Sequence, residues 1–176
     1  MLPPGIQTAR LILRPIEAGD ADAIFDGYAQ DSEVTRYMTW RPHRTISDAH
    51  AFIAVCLTTP RELSLTYAIT GRSDGQLRGV FELRRPAAYR LGYGYVLARR
   101  FWGQGLMSEA LTAAVEWALA QSDVWRIGDV CDVDNLASAR VMEKAGMTRE
   151  ALLRRWSMHP NVSSEPRDCF SYVKAR

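Results

Sequence analysis

Three cysteines in 176 residues, none of them in a Cys-x-x-Cys pair, leave little from which to build a disulfide framework or a sulfur-ligated metal site. Cys56, Cys131 and Cys169 are far apart, and unpaired, mostly buried thiols are expected. His43, His50 and His159 show no metal-ligand spacing, so no metal is expected. No Gly-x-x-x-x-Gly-Lys-Ser/Thr occurs, which removes the P-loop lysine of a nucleotide hydrolase. No apolar run approaches the roughly 20 residues that a membrane span needs. The start, MLPPGIQTAR, has no apolar run after a basic segment, so no secretory leader is expected and a cytoplasmic location is. Charge of one sign is also missing. The 22 basic and 20 acidic residues nearly cancel, and the formal net charge of +2 argues for neither nucleic acid nor a membrane surface as partner. Internal repeats, low-complexity segments and linkers are absent, so residues 1–176 read as a single domain. A chain of this length buries roughly 70% of its unfolded surface and needs no disulfide or metal to hold it.

What is present centres on Leu91–Glu109, LGYGYVLARRFWGQGLMSE. It opens as a strand, with Tyr93, Tyr95 and Leu97 alternating with Gly92, Gly94 and Val96. It closes as a helix, Leu106–Leu119, rich in Ala, Leu, Met and Glu. Between them lies Trp102-Gly103-Gln104-Gly105. Two glycines at a strand-to-helix turn let the backbone approach a ligand, and the helix start turns free N–H groups and a positive dipole end into that space. An anion, above all a phosphate group, suits such a place; a tight turn without a ligand is the alternative.

Around this stretch the pattern predicts a strand over Thr8–Pro15, a helix from Asp20 to about Tyr28 and an irregular segment, Asp31–Pro42. A helix over Asp48–Leu57, capped by Ser47, follows. Leu63–Thr70 and Leu77–Arg84 are strands joined by the loop Gly71–Gly75, and Tyr89–Leu97 completes a three-stranded meander. Met107, Ala110, Leu111, Ala114, Val115, Ala118 and Leu119 form the core stripe of the long helix. A strand over Trp125–Val133, a helix over Ala137–Ala145 stopped by Gly146, and strands over Met147–Met158 and Asp168–Lys174 end the chain. The fold class is α/β or α+β, one sheet of about seven strands with helices on both faces.

Four blocks carry a family resemblance: TARLILRP, LGYGYVLARRFWGQGLMSEAL, RIGDVCDVDNLASARVMEKAGM and RRWSMHPNVSSEPRDCFSYV. Together, and in this order, they resemble the GNAT superfamily of acetyl-CoA-dependent N-acetyltransferases, in particular its Rim-type branch, which acetylates ribosomal-protein N-termini. The resemblance implies a mixed, mostly antiparallel twisted sheet whose central strands splay, with CoA in the gap. Its pyrophosphate loop, Gln/Arg-x-x-Gly-x-Gly/Ala, falls on Trp102, Gly105 and Met107. Trp102 brings no charge, so phosphate binding should rest on backbone N–H groups of Gly103, Gln104, Gly105, Leu106, Met107 and Ser108, aided by the Ser108 hydroxyl and by Arg99 or Arg100. The pantetheine arm should pair with backbone near Tyr95, Val96 and Leu97. Gly92 and Gly94 suit a bulge that helps the splay, or relief of crowding. Asn135 aligns with the asparagine that reaches the pantetheine amide; a helix cap is its other role. Lys144 either meets the adenosine end or is solvated.

Direct transfer to an amine needs a proton acceptor, a polarised carbonyl and a donor for the departing thiolate, and no covalent enzyme intermediate. Many relatives donate from a tyrosine that aligns here with Met142, which has no proton to give. In the Rim-type branch the donor is a serine, here Ser138, one turn from Asn135; a hydroxyl bonded to a helix carbonyl is the alternative. Glu82, between Phe81 and Leu83, is the first candidate base, against a plain solvated glutamate; Asp168 and a water relay follow. Tyr37, Trp40, Arg41 and His43 form either a substrate-facing wall or a loop over the core. The resemblance implies acetyl-CoA as co-substrate and a protein N-terminal amine or a small amine as acceptor, or else a catalytically silent acyl-CoA-binding module. It leaves monomer and homodimer both open.

Overall fold

The computed structural model describes residues 1–176. Its eight strands form one sheet in the order β1-β2-β3-β4-β5-β6-β8-β7. The strands are β1 Ile6–Gln7, β2 Leu11–Pro15, β3 Ser64–Gly71, β4 Leu77–Ala87, β5 Arg90–Leu97, β6 Arg126–Asp132, β7 Thr148–Ser157 and β8 Arg167–Ala175. The helices are α1 Ala21–Ile24, α2 Ser32–Thr35, α3 Ile46–Thr58, α4 Leu106–Ala120 and α5 Leu136–Lys144. Every strand pair is antiparallel except β5 with β6, which pair only at Arg90–Arg126 and Leu91–Ile127 and then part. The expected splay of the central strands is therefore present.

Side-chain alternation sorts the core into two layers. Leu11, Leu13, Tyr67, Ile69, Phe81, Leu83 and Tyr93 point to one face and pack against α4 and α5. Ala68, Val80 and Val96 point to the other and pack against α1, α2 and α3. The stripe of α4 is buried from Met107 to Ala118 as its spacing predicts, with Leu106 added to it and Leu119 only half-buried. Gly146, at φ 75°, closes α5: the Met147 N–H bonds to the Met142 carbonyl and the Gly146 N–H to the Glu143 carbonyl, a helix stop that satisfies two orphan carbonyls.

Local chemistry moves several boundaries. The first expected strand starts at Leu11 rather than Thr8, because the Thr8 hydroxyl takes the Leu11 N–H at 2.9 Å and turns the chain; an unexpected strand, Ile6–Gln7, precedes that turn and makes eight strands rather than seven. The helix from Asp20 is broken, a short α1 followed by a wider turn over Phe25–Ala29. The segment after Asp31 holds a turn of helix, because the Asp31 carboxylate caps Glu33 N at 2.9 Å. Helix α3 begins earlier than expected, at Ile46: Thr45, not Ser47, is its N-cap, and the Asp48 carboxylate reaches back to the Thr45 N–H at 3.0 Å. Gly92 and Gly94 form no bulge. Their register with Arg84 and Glu82 is regular, and the irregularity lies between Arg84 and Ala87.

Candidate active site at the open edge of strand β5

Strand β5 ends at Leu97, and one short helical turn, Arg99–Phe101, leads to the glycine pair. Gly103 and Gly105 both sit at φ 74°, a left-handed conformation that other residues take only with strain. The chain thereby enters α4 with its N–H groups exposed. The first intrahelical bond runs from the Glu109 N–H to the Gly105 carbonyl, and the N–H groups of Gly103 to Ser108 make no hydrogen bond within the protein. Side chains brace this cradle. The Trp102 indole N–H donates to the Leu97 carbonyl at 2.7 Å and ties the loop to the strand end. Arg10 donates to the Gln104 carbonyl at 3.0 Å and to Glu109 at 2.6 Å. Burial of Glu109 works toward a higher pKa, but bonds from the Thr8 hydroxyl and from Arg10 outweigh it and hold the carboxyl below its ordinary range.

The open edge of β5 follows from hydrogen-bond alternation. The Tyr93 N–H donates to Asp129 Oδ2 at 3.0 Å, and the Tyr93 carbonyl accepts from Arg84 at 2.6 Å, so both groups of Tyr93 point toward β6. Two residues on, Tyr95 and Leu97 must point the same way. The Leu97 carbonyl is used by Trp102, which leaves both backbone groups of Tyr95 and the Leu97 N–H facing the gap. Val96 turns its backbone to β4 and offers nothing at this edge, unlike the expectation for Tyr95–Leu97 as a block. The gap is held open by charge. Asp129 on β6 takes the Tyr93 N–H in place of a main-chain carbonyl and pairs with Arg84 at 2.6 Å. A side chain at Gly92 would stand 3.1 Å from that carboxylate.

A cavity of about 660 Å³ runs along this gap, lined by Tyr93–Val96 and Asp129–Asp132, Asn135, Ser138 and Met142, and continues past Glu82 to Tyr37, Trp40 and His43. Within it the Tyr95 and Ser138 hydroxyls lie 2.7 Å apart. Tyr95 is the only side-chain partner of Ser138 Oγ, which makes no bond to a helix carbonyl. Burial, against the opposing bond to Ser138, raises the Tyr95 phenol well above its ordinary pKa and keeps it protonated. Asn135 caps α5, its side-chain oxygen taking the Ser138 N–H at 3.1 Å. Glu82 accepts the Ser64 hydroxyl at 2.6 Å and keeps its other oxygen 3.7 Å from Arg84. Its cross-strand partner is Gly94, whose added Cβ would lie 3.5 Å from Glu82 Oε2.

Loops close the far end. The Asn161 amide donates to the Thr35 carbonyl at 2.7 Å and to the Trp40 carbonyl at 2.8 Å, clasping the α2–α3 segment to the β7–β8 loop. The Trp40 and His43 rings lie 5.2 Å apart. Burial lowers the His43 pKa, only partly opposed by Asp48, so its ring is neutral at neutral pH. Asp132, fully buried, binds Arg167 at 2.5 Å and lies 3.8 Å from His159.

Residues 10–148 match the acetyltransferase (GNAT) domain. The chain belongs to the GNAT acetyltransferase family. It is 32% identical over 176 residues to YoaA, an uncharacterised N-acetyltransferase of Bacillus subtilis, covering 98% of each chain. A GNAT-family acetyltransferase from Bacillus anthracis superposes with a TM-score of 0.85 at 25% identity, covering 97% of this chain and 98% of that one. RimL, a ribosomal L7/L12 α-N-protein acetyltransferase solved in complex with coenzyme A, shares the fold with a TM-score of 0.84 at 21% identity over 97% of both chains.

Against the GNAT loop pattern, the Leu106 and Met107 side chains are core, so only their backbone faces the cradle. Ser108 is half-buried in the first turn of α4. The Gln104 side chain bonds to the Arg100 carbonyl at 3.1 Å, and the Arg100 guanidinium stacks on Phe101 at 4.9 Å in solvent. Met142, at the position of the GNAT tyrosine, is buried and lines the cavity. Of the expected residues, Leu97, Arg100 and Gly103–Ser108 belong to the cradle and not to the cavity lining, and three more stand apart. Arg41 and Lys144 are exposed and line no part of the cavity, because the chain turns outward after Trp40 and Lys144 ends the outer face of α5. Asp168 lies outside it too, held by Arg154 at 2.6 Å and the Arg155 N–H at 2.9 Å. Sequence reading passed over Arg84, Asp129 and Asn161: Arg84 and Asp129 are 45 residues apart and Asn161 is 126 from Thr35, where no spacing rule reaches. The Tyr95 hydroxyl had a signal: alternation puts Tyr93 and Tyr95 on the α5 face.

Proposed function

We propose that the chain is an acetyl-CoA-dependent N-acetyltransferase of the Rim-type branch, working as one domain in the cytoplasm and moving acetyl directly to a primary amine in a ternary complex. The observation that carries this is the run of free N–H groups from Gly103 to Ser108, together with the open edge at Tyr95 and Leu97. The first suits a pyrophosphate and the second suits the amides of a pantetheine arm. CoA is bound in the RimL structure of the same fold.

On this reading acetyl-CoA supplies the activated acyl group, and the protein supplies position and proton control. The Tyr95 backbone holds the arm as an added strand would. Gly94 leaves a passage from that edge to Glu82, which takes the surplus proton of the incoming amine directly or through water. Ser138 donates its hydrogen to the sulfur as the thiolate leaves. Either hydroxyl of the pair can donate at 2.7 Å; on this reading the phenol, the stronger acid, donates to Ser138 Oγ and leaves the serine hydrogen for the sulfur.

Met142 favours a second reading, a module that binds acyl-CoA without turnover, since the buried thioether gives no proton. One experiment separates the two. With acetyl-CoA and a panel of amines, the enzyme reading expects free CoA to be released and Ser138→Ala to slow release while the CoA-induced rise in melting temperature persists. That rise without turnover on any amine supports the silent module; no rise at millimolar CoA overturns both.

A further inference from the structure

We propose that the acceptor is a primary amine carried on an apolar body, its nitrogen at Glu82 and its body in the pocket between α1, α3 and the sheet. The proposal rests on the acetyltransferase reading above and names its substrate class.

Glu82 stands where two parts of the cavity meet. Behind it, across Gly94, is the open edge of β5; a side chain at Gly94 would stand 3.5 Å from Glu82 and 3.9 Å from the Arg84 guanidinium, and glycine leaves that space free. In front, the α1–α3 side of the cavity is walled by Ile24, Tyr28, Trp40, Phe52 and Val80. No carboxylate, lysine or arginine lines that side; its basic residue is His43, whose pKa burial lowers. The other two acids of the cavity are already committed, Asp129 to Arg84 at 2.6 Å and Asp132 to Arg167 at 2.5 Å. One oxygen of Glu82 takes the Ser64 hydroxyl at 2.6 Å; the other accepts no hydrogen bond and stands 3.7 Å from Arg84, a loose contact that an amine nitrogen at hydrogen-bond distance replaces.

A polyamine would place its further ammonium groups among apolar walls with no counter-charge, which is costly. An aromatic or aliphatic body instead gains from leaving water there. The pocket is not wholly apolar. The buried His43 Nδ1 has no hydrogen-bond partner, and Tyr28 brings a hydroxyl to the same lining. An apolar body bearing one or two hydrogen-bonding groups fits both atoms.

The test compares kcat/KM for phenethylamine and spermidine with saturating acetyl-CoA, and titrates both amines calorimetrically into the CoA-saturated and the free protein. The proposal expects phenethylamine to lead by at least tenfold in rate or affinity. It expects Phe52→Glu to erase that lead, and Phe52→Ala to reduce it, while the CoA-induced melting shift stays. Spermidine equal to or ahead of phenethylamine in turnover and in titration, or an unchanged ratio in both Phe52 variants, overturns it. Failure of the acetyltransferase reading registers separately, as loss of the CoA shift, and the titrations into free protein still test the pocket.

Discussion

At the scale of single residues, the glycine turn works through its main chain. Gly105 sits at φ 74° and starts α4, while Gln104 spends its side chain on the Arg100 carbonyl. Gly105→Val forces a branched residue into the left-handed region, at a cost of about 1–2 kcal/mol or a reoriented cradle. Calorimetry is expected to show CoA affinity falling far more for Gly105→Val than for Gln104→Ala; the reverse order counts against a backbone cradle. The hydroxyl pair makes a second prediction. Ser138→Ala is expected to lower kcat by about 10²-fold, the low end for losing a positioned proton donor. Tyr95→Phe is expected to lower kcat by less and leave KM for acetyl-CoA unchanged, and the double variant to be no worse than Ser138→Ala alone, since Tyr95 acts through Ser138. Cys131 lines the same cavity, and burial, with neighbouring acidic groups and Cys169, pushes its thiol up to about 12. At pH 8 its thiolate fraction is about 10⁻⁴, so alkylation by iodoacetamide is expected to be slow despite access from the cavity.

At the scale of elements, β6 is held to β8 by an ion pair as well as by its ladder. Asp132 ends β6 and binds Arg167 at the start of β8 at 2.5 Å, with the Asp134 N–H bonding the same carboxylate at 2.9 Å. Burial of Asp132 tends to raise its pKa, but the bonds from Arg167 and the Asp134 N–H overcome this and leave it below the ordinary value. A carboxyl whose folded pKa is depressed contributes stability above its unfolded pKa of about 3.9 and loses it as pH falls through the folded value. Asp132→Asn is therefore expected to be markedly less stable than the parent at pH 7, and the gap in denaturant midpoint to close as pH drops below about 4. A gap that persists at low pH would mean that shape, not charge, decides. The clasp at Asn161 is an element-level feature of another kind, joining two loops that share no ladder.

At the scale of the whole molecule, the proposed CoA groove is bounded by β5, β6, α4 and α5 together. CoA at one hundred times its dissociation constant is expected to stabilise the fold by about 2.7 kcal/mol. For a chain of this length that is a rise in melting temperature of about 5–10 °C, measurable by a thermal scan, with a smaller rise for pantetheine lacking the phosphates. The sequence by itself determined the elements and the turn. The alternation of Tyr93, Tyr95 and Leu97, the 3.6-residue stripe of α4, the glycines at 103, 105 and 146 and the cap at Asn135 are local patterns, each set by a backbone preference or a side chain reaching a few residues away. Where the reading slipped, a competing local bond was responsible: Thr8 turns the chain and delays the first expected strand to Leu11, and Asp48 starts α3 two residues early. Only the tertiary structure decided the rest. The order β6-β8-β7, the Arg84–Asp129 pair that keeps the gap open, the Tyr95–Ser138 contact and the placing of Arg41, Lys144 and Asp168 outside the cavity depend on residues far apart in the chain. Such contacts form only when the sheet stacks its strands, and no spacing along the chain encodes the distance between their side chains.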